Sequence, residues 1–410
     1  MEAPKSSSAA KLTVLMVAAF MDMVGLFMIV PILPLYAKDL GAGGLEVGLL
    51  VASFSVTQLA SAPLWGRLSD HYGRRPALLV GMSAAGMAYV VFAYADALWL
   101  LFLSRFVQGA GGGTVSVIQA YVADSLEPKD RAKGLGWLSA ATNAGVALGP
   151  LLGIVALNMG PRGPGLAAAA LCFVNVLFAW RYLTESRDMV EAAEARAKPR
   201  IPGRTRGVLK RVASHPNEPA SRLIWIYAIA IGAFQGTTAI LALFLSDRFC
   251  ITKDTMGYFF FYLGALAVVM RALVLGPAVD RFGEAKLSRI GLVLLSLGLA
   301  LLPLMHPADN PLLTYVPLAL AVALLPVGTA FTFPCVTSLL SRVVSSNERG
   351  LYMGVQQTFG GGARILFPIA YGFLYDRVIG LPFFIAATLV AATLLLGLGM
   401  ESYARESARG

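Results

Sequence analysis

Asp22 stands within an apolar stretch, LTVLMVAAFMDMVGLFMIVPILPLYA, that is long enough to cross a bilayer. A carboxylate near the middle of such a helix costs roughly 2.5–3.5 kcal/mol on insertion scales, so it persists only with a partner, a cavity or a neutralising proton. One acid so placed points to proton or cation handling. Arginines share the interior. Arg105, Gln108, Gly112, Ser116 and Gln119 recur at helical spacing and form one polar face, which belongs in a cavity or a helix interface rather than against lipid. A structural bond from Arg105 to backbone carbonyls is the competing reading. Gln357, Arg364 and Tyr371 lie seven apart beside Gly360-Gly361-Gly362. A guanidinium does not deprotonate in proteins, so Arg364 needs an anion: substrate, Asp22 or another acid. Arg271 lies nearer a helix end, where snorkelling or an interdomain contact competes with substrate binding. Gln235 joins Asp22, Gln108, Gln119, Gln357 and Arg364 as a candidate for a substrate cavity.

The elements that must hold these residues are membrane helices. Apolar residues make up 57% of the 410 positions and charged residues 14%, and the mean hydropathy is +0.70. A soluble domain carries about 25% charged residues. The pattern predicts an all-α membrane protein with twelve transmembrane helices in two pseudo-symmetric six-helix bundles. The expected spans are 12–37, 47–69, 76–96, 98–122, 134–159, 163–183, 222–247, 256–279, 286–305, 312–341, 350–375 and 379–402. A β-barrel would show short alternating segments instead, and none appear. The first span is too long for a signal-peptide core and lacks a small-residue cleavage site, so it is expected to be retained. Cys172, Cys250 and Cys335 show neither metal-ligand spacing nor a disulfide framework.

Most of the 33 Lys and Arg residues fall on one side of these spans. That bias predicts a multi-pass protein of the cell inner membrane with both termini cytoplasmic. The +10 charge is then a topology signal, and no nucleic-acid partner is implied. The hydrophilic segment 184–221 reads as a cytoplasmic linker, with a surface helix around Ser186–Ala197, between an N-terminal bundle at 1–183 and a C-terminal bundle at 222–410.

The two halves repeat. GRLSDHYG at 66–73 returns as GPAVDRFG at 276–283, and Arg131 and Pro150 return as Arg349 and Pro368. Two matched halves around a central site are the architecture of alternating access. Gly66 and Gly73 permit tight turns and close approach, and Asp70 can accept from Arg74, Arg75 or a helix N-terminus. Such contacts can latch one conformation; a static turn obeying charge topology is the alternative. Asp280 and Arg281 would form a weaker latch in the second half. Gly145, Gly149, Pro150 and Gly153 form a small-residue face with a bend, suited to close helix packing and to control of leak. Asp124, at a helix end, is expected to serve as a loop or cap partner for Lys129 or Arg131. His71, His215 and His306 read as surface residues without metal partners.

These residues resemble the major facilitator superfamily. The 66–75 loop looks like its best-known signature, and Arg105-Phe-Val-Gln108-Gly109 is similar to a second. Asn143 to Gly153 resembles the glycine–proline motif of proton-exchanging exporters, and Met21 to Pro34 resembles the first helix of twelve-helix drug:proton antiporters, especially the tetracycline-efflux branch. The resemblance implies a proton-coupled antiporter exporting small amphipathic compounds. Its partners would be a small-molecule substrate, protons and the lipid bilayer, with a monomer as the working unit. Asp22 and Arg105 would couple protons. An organic-anion exporter or a proton-coupled nutrient symporter remains as the alternative. The sequence departs from the tetracycline branch where that branch carries further acids: Gly86–Tyr89 and Gly291–Ser296 contain none. In the second half the basic pair after the loop glycine becomes Glu284-Ala-Lys286. No catalytic residues, metal or cofactor are expected. The glycine-rich stretches 109–113 and 360–362 lack a following Lys-Ser/Thr, which argues against ATP as the driving force.

Overall fold

The computed structural model describes residues 8–127, 130–186, 204–345 and 348–397. Among the described residues the structure is helical, without a strand. The first part comprises α1 (Ser8–Ile29), α2 (Leu33–Asp39), α3 (Gly44–Tyr72), α4 (Arg74–Ala93), α5 (Leu98–Gly112), α6 (Val115–Ser125), α7 (Arg131–Leu157) and α8 (Gly163–Tyr182). The second comprises α9 (Arg204–Ser214), α10 (Pro219–Phe249), α11 (Lys253–Val269), α12 (Leu275–Phe282), α13 (Glu284–Leu301), α14 (Pro311–Val343), α15 (Arg349–Arg377) and α16 (Leu381–Leu396). Each of the twelve expected spans is mainly helical over its described residues. Nine helical spans among the described residues are long and apolar enough to cross a bilayer. The chain is a multi-pass helical membrane protein.

Three spans differ from their expected continuity, each for a local reason. The first breaks after Ile29 and restarts at Leu33, because Pro31 and Pro34 supply no N–H to the helical ladder. The expected 98–122 helix is divided between α5 and α6. At Gly113 a side chain would come within 2.5 Å of the Ser61 hydroxyl, and the Thr114 hydroxyl donates to the Gly111 carbonyl at 3.1 Å. Close approach to α3 and a competing side-chain bond thus end α5. Between α11 and α12 the chain forms a π-turn over Met270–Val274, which contains Arg271. Such turns insert one extra residue per turn and rotate the side chains beyond them.

Close packing groups the chain into two units. One contains Met1–Leu40, Ser53–Pro199 and Thr252–Ala265; the other contains Gly41–Ala52, Arg200–Ile251 and Leu266–Gly410. In the first, α1 packs on α7 and α8, and α4 on α5 and α8. In the second, α13 packs on α14 and α16, and α10 on α15. The start of α3 belongs to the second unit because α15 caps it: Gly44 and Leu45 donate their N–H groups to Asp376 at 2.6 and 2.8 Å. The expected 184–221 linker includes a helix, α9, that the charge-rich composition concealed. Val212 of α9 is fully buried, and its carbonyl accepts from Trp225 Nε1 at 3.2 Å. Arg211 donates to Glu218 at 2.8 Å, a bond that holds the guanidinium above its usual range. The surface helix expected at 186–197 lies outside the described residues after Ser186.

Candidate functional site

Asp22 lies on α1 and lines a cavity of about 50 Å³ with Tyr89, Gln108, Thr114 and Gln58. It is the one acid among the lining residues, and it has no hydrogen-bond or ion-pair partner among the described residues. Tyr89 comes from α4 and Gln108 from α5; Gln108 Nε2 donates to the Tyr89 oxygen at 2.7 Å. Gly25, one turn beyond Asp22, faces this phenol. A side-chain carbon there would stand 3.5 Å from the Tyr89 ring and 3.8 Å from its hydroxyl. Asn175 of α8 is fully buried and donates to the Ala18 carbonyl at 2.8 Å. That carbonyl is the helical acceptor for the Asp22 N–H, so Asn175 pins the turn that presents the acid.

The glycine motif of α7 packs on the same stretch of α1. A side-chain carbon at Gly145 would meet the Phe20 carbonyl at 2.6 Å, at Gly149 the Phe27 side chain at 2.7 Å, and at Gly153 the Met28 carbonyl at 2.6 Å. On another face of α7, Gly257 of α11 approaches the Pro150 carbonyl, with 2.6 Å between that oxygen and its absent side-chain carbon. These glycines bring backbones together on both sides of α7, as small residues in lipid-embedded helices do.

Other expected site residues are not among those that line this cavity. Arg105 is 2% exposed, faces the Phe92 ring at 6.0 Å, and leaves Nε and Nη2 without partners among the described residues. It makes no ion pair with Asp22 and does not line the cavity. Gln119 is exposed on α6, beyond the turn at Gly113–Thr114. In the second unit Gln235 is half-buried, and Gln357 is exposed and donates to the Tyr227 hydroxyl at 3.5 Å. Arg364 is half-buried and has no hydrogen-bond or ion-pair partner among the described residues.

The 66–75 loop forms a charge cluster. Gly73 adopts φ 102°, ψ 160°, a conformation nearly confined to glycine, and α4 begins at once with Arg74. The Arg74 guanidinium pairs with Asp70 at 2.9 Å and Asp124 at 3.0 Å, and donates to the Ser69 hydroxyl at 2.7 Å. Asp124 thus serves Arg74, and no pair with Arg131 forms among the described residues; Lys129 lies outside them. Glu185 accepts the Arg74 and Arg75 backbone N–H groups at 2.9 and 3.1 Å, capping α4. The Arg75 side chain donates to the Trp180 carbonyl. Gly66 sits inside α3 with no atom near its absent side chain, so neither a turn nor close packing requires it.

In the second half, Gly283 repeats the turn with φ 74°, ψ 156°, and α13 begins with Glu284. Glu284 accepts from Arg342 and from the Ser338 hydroxyl, both at 2.8 Å. Asp280 has no hydrogen-bond or ion-pair partner among the described residues, and Arg281 lies against the adjacent Phe282 ring at 5.7 Å. The ion pair here is therefore Glu284–Arg342 and not one made by Asp280. Sequence reasoning missed the pairings made by Asp124, Glu185, Glu284, Arg342 and Tyr89. A signal existed for two of them: Asp124 and Arg342 are separated by the same 218 residues as Arg131 and Arg349.

The Major Facilitator Superfamily profile matches residues 15–368. The class B tetracycline resistance protein of Escherichia coli is 26% identical over 397 residues, covering 93% of this chain and 95% of that protein. Multidrug resistance protein 1 of Bacillus subtilis (strain 168) is 28% identical over 393 residues, covering 95% and 96%. Among solved structures, the human organic anion transporter MFSD10 (TETRAN) aligns with TM-score 0.66 and 22% identity, over 97% of this chain and all of that one. The nucleoside transporter NupG aligns with TM-score 0.71 and 14% identity, over 96% and 98%.

Proposed function

Because the chain belongs to the Major Facilitator Superfamily, we propose that it is a proton-coupled antiporter that exports small amphipathic compounds by alternating access. The observation that carries this reading is Asp22: an acid in a membrane-spanning helix, lining a cavity, with no counter-ion among the described residues. A carboxyl in that setting changes charge when its cavity exchanges a proton, and the change alters the cost of exposing it to either side. The glycine stripe of α7 packs directly on this helix, so a rearrangement of one helix is felt by the other. Relatives named for tetracycline and multidrug resistance support drug-like substrates. The Asp70–Arg74–Asp124 cluster serves as a latch on one conformation. Gln108, Gln119, Gln235, Gln357 and Arg364 contribute polar contacts along the substrate path. The protein acts as a monomer in a bacterial inner membrane with both termini cytoplasmic, where its lysines and arginines are concentrated.

Arg364 supports a second reading, in which substrates are organic anions, because it has no counter-ion among the described residues. Proteoliposomes with an imposed pH gradient separate the two. Tetracycline, a lipophilic aromatic cation and an aromatic carboxylate would be offered to wild type, Asp22→Asn and Arg364→Ala. Asp22→Asn should abolish uphill movement while leaving exchange down a gradient. Uphill transport with unchanged proton stoichiometry in that variant would remove Asp22 from the coupling role. Selective loss of the carboxylate in Arg364→Ala would favour the anion reading, and equal loss of all three would count against it.

A further inference from the structure

Tyr89 and Gln108 are 1% and 3% exposed, and both line the cavity that Asp22 lines. Gln108 Nε2 occupies a lone pair of the Tyr89 oxygen at 2.7 Å, and this leaves the phenol's own hydrogen for another acceptor. Gln108 Oε1 is buried and has no hydrogen-bond partner among the described residues. A buried carbonyl in that condition is destabilising unless a donor reaches it. The cavity measures about 50 Å³. A water needs roughly 10–15 Å³ by this measure and two to four polar partners, so about three waters fit. A drug-sized pocket is several times larger, on the order of 300 Å³ or more. In this conformation the space suits water and is too small for a whole amphipathic substrate.

We propose that this cavity is a hydrated proton-holding site, in which about three waters link Asp22 to the Tyr89 hydroxyl and the Gln108 carbonyl. The proposal rests on Asp22 being the coupling acid. Tyr89 is a positioning residue: its oxygen is held by Gln108 and its hydrogen is directed to the water or carboxylate at Asp22. An arriving hydronium leaves its proton on the Asp22 carboxylate and remains as water; release is the reverse. The remaining titratable groups around the site are Cys172 and Arg105. Cys172 donates to the Met82 carbonyl at 3.2 Å, and Arg105 lies beyond Tyr89 against Phe92.

Infrared difference spectra of the full chain in lipid, taken across a pH step, test this without a substrate. The carboxyl C=O band of Asp22 is the one lost in Asp22→Asn. Tyr89→Phe keeps the ring and removes the donor, and Gln108→Met keeps the volume and removes the carbonyl. Each should move the Asp22 band to higher wavenumber, because the carboxyl loses hydrogen-bonded neighbours. Each should also weaken the water O–H bands that shift on exchange into H₂¹⁸O. An Asp22 band unmoved by both substitutions, with no accompanying isotope-sensitive water band, overturns the hydrated site and leaves the antiporter reading standing. If no band is lost in Asp22→Asn, Asp22 does not titrate and both fall together.

Discussion

At Gly73 and again at Gly283 the chain turns with positive φ, 102° and 74°, straight into a new helix. The residue that follows is Arg74 in one case and Glu284 in the other. Each is well buried, with side-chain exposures of 9% and 11%, and each pairs with a residue on a later helix: Asp124 or Arg342. The repeat has kept the pair and exchanged its charges. The difference follows from the helix end. A helix N-terminus carries about half a positive charge, so Glu284 is favoured there and Arg74 is not. The first cluster accordingly gathers three acids, Asp70, Asp124 and Glu185, around its arginine and its cap. The second makes do with Arg342, which is 51% exposed, and one hydroxyl. What the two halves share is a buried, paired residue behind the turn, and its sign is negotiable if the surroundings change with it.

Charge reversal sharpens this comparison most. Arg74→Glu would bury an acid among Asp70, Asp124 and Glu185, and should cost on the order of 3–5 kcal/mol, read as a large drop in thermal unfolding midpoint in detergent. Adding Asp124→Arg should recover only part of it, since Asp70 and Glu185 remain. Gly73→Ala comes next, at about 3 kcal/mol. Its backbone conformation resists a side chain, and the new carbon would stand 2.4 Å from Glu185 Oε2. Gly283→Ala should cost less, about 1–2 kcal/mol, because the same strain arises in open space. Glu284→Arg should cost about 1 kcal/mol, discounted for the exposure of Arg342, and Arg342→Glu should restore nearly all of it. Equal damage from Glu284→Arg and Arg74→Glu would erase the distinction between the halves.

Much of this architecture is legible in the sequence because lipid leaves few options. Long apolar runs can only be helices, repeated GxxxDxxG blocks mark equivalent turns, and small residues four apart mark close packing. The placement of Asp22 in a helix packed on Gly145, Gly149 and Gly153 is of this kind. The partners are harder to read. Asp124 meets Arg74 across 50 residues, whereas its sequence neighbours Lys129 and Arg131 invite a local assignment. Tyr89 is one phenol in an apolar helix, and no periodicity sets it apart from packing aromatics. The polar face from Arg105 to Gln119 spans two helices, because α5 ends at Gly112 and α6 starts at Val115, a division that the regular spacing of the stripe does not announce.

Gly66 supplies the smallest effect and the sharpest contrast in sign. It belongs to the same repeated block as Gly73, and its counterpart Gly276 is likewise a glycine with no atom near its absent side chain. Gly66 lies inside α3 with ordinary helical backbone, so alanine meets no obstacle there and reduces the freedom of the unfolded chain. Gly66→Ala should therefore stabilise the protein, by about 0.5–1 kcal/mol, while Gly73→Ala destabilises it. Transport by Gly66→Ala in proteoliposomes gives the decisive comparison. Wild-type rates with a raised unfolding midpoint would mean that the block's first glycine has no part in the latch. A stabilised protein with slowed transport would mean that α3 approaches another helix at Gly66 in a second conformation, and the glycine would then be kept for that close approach.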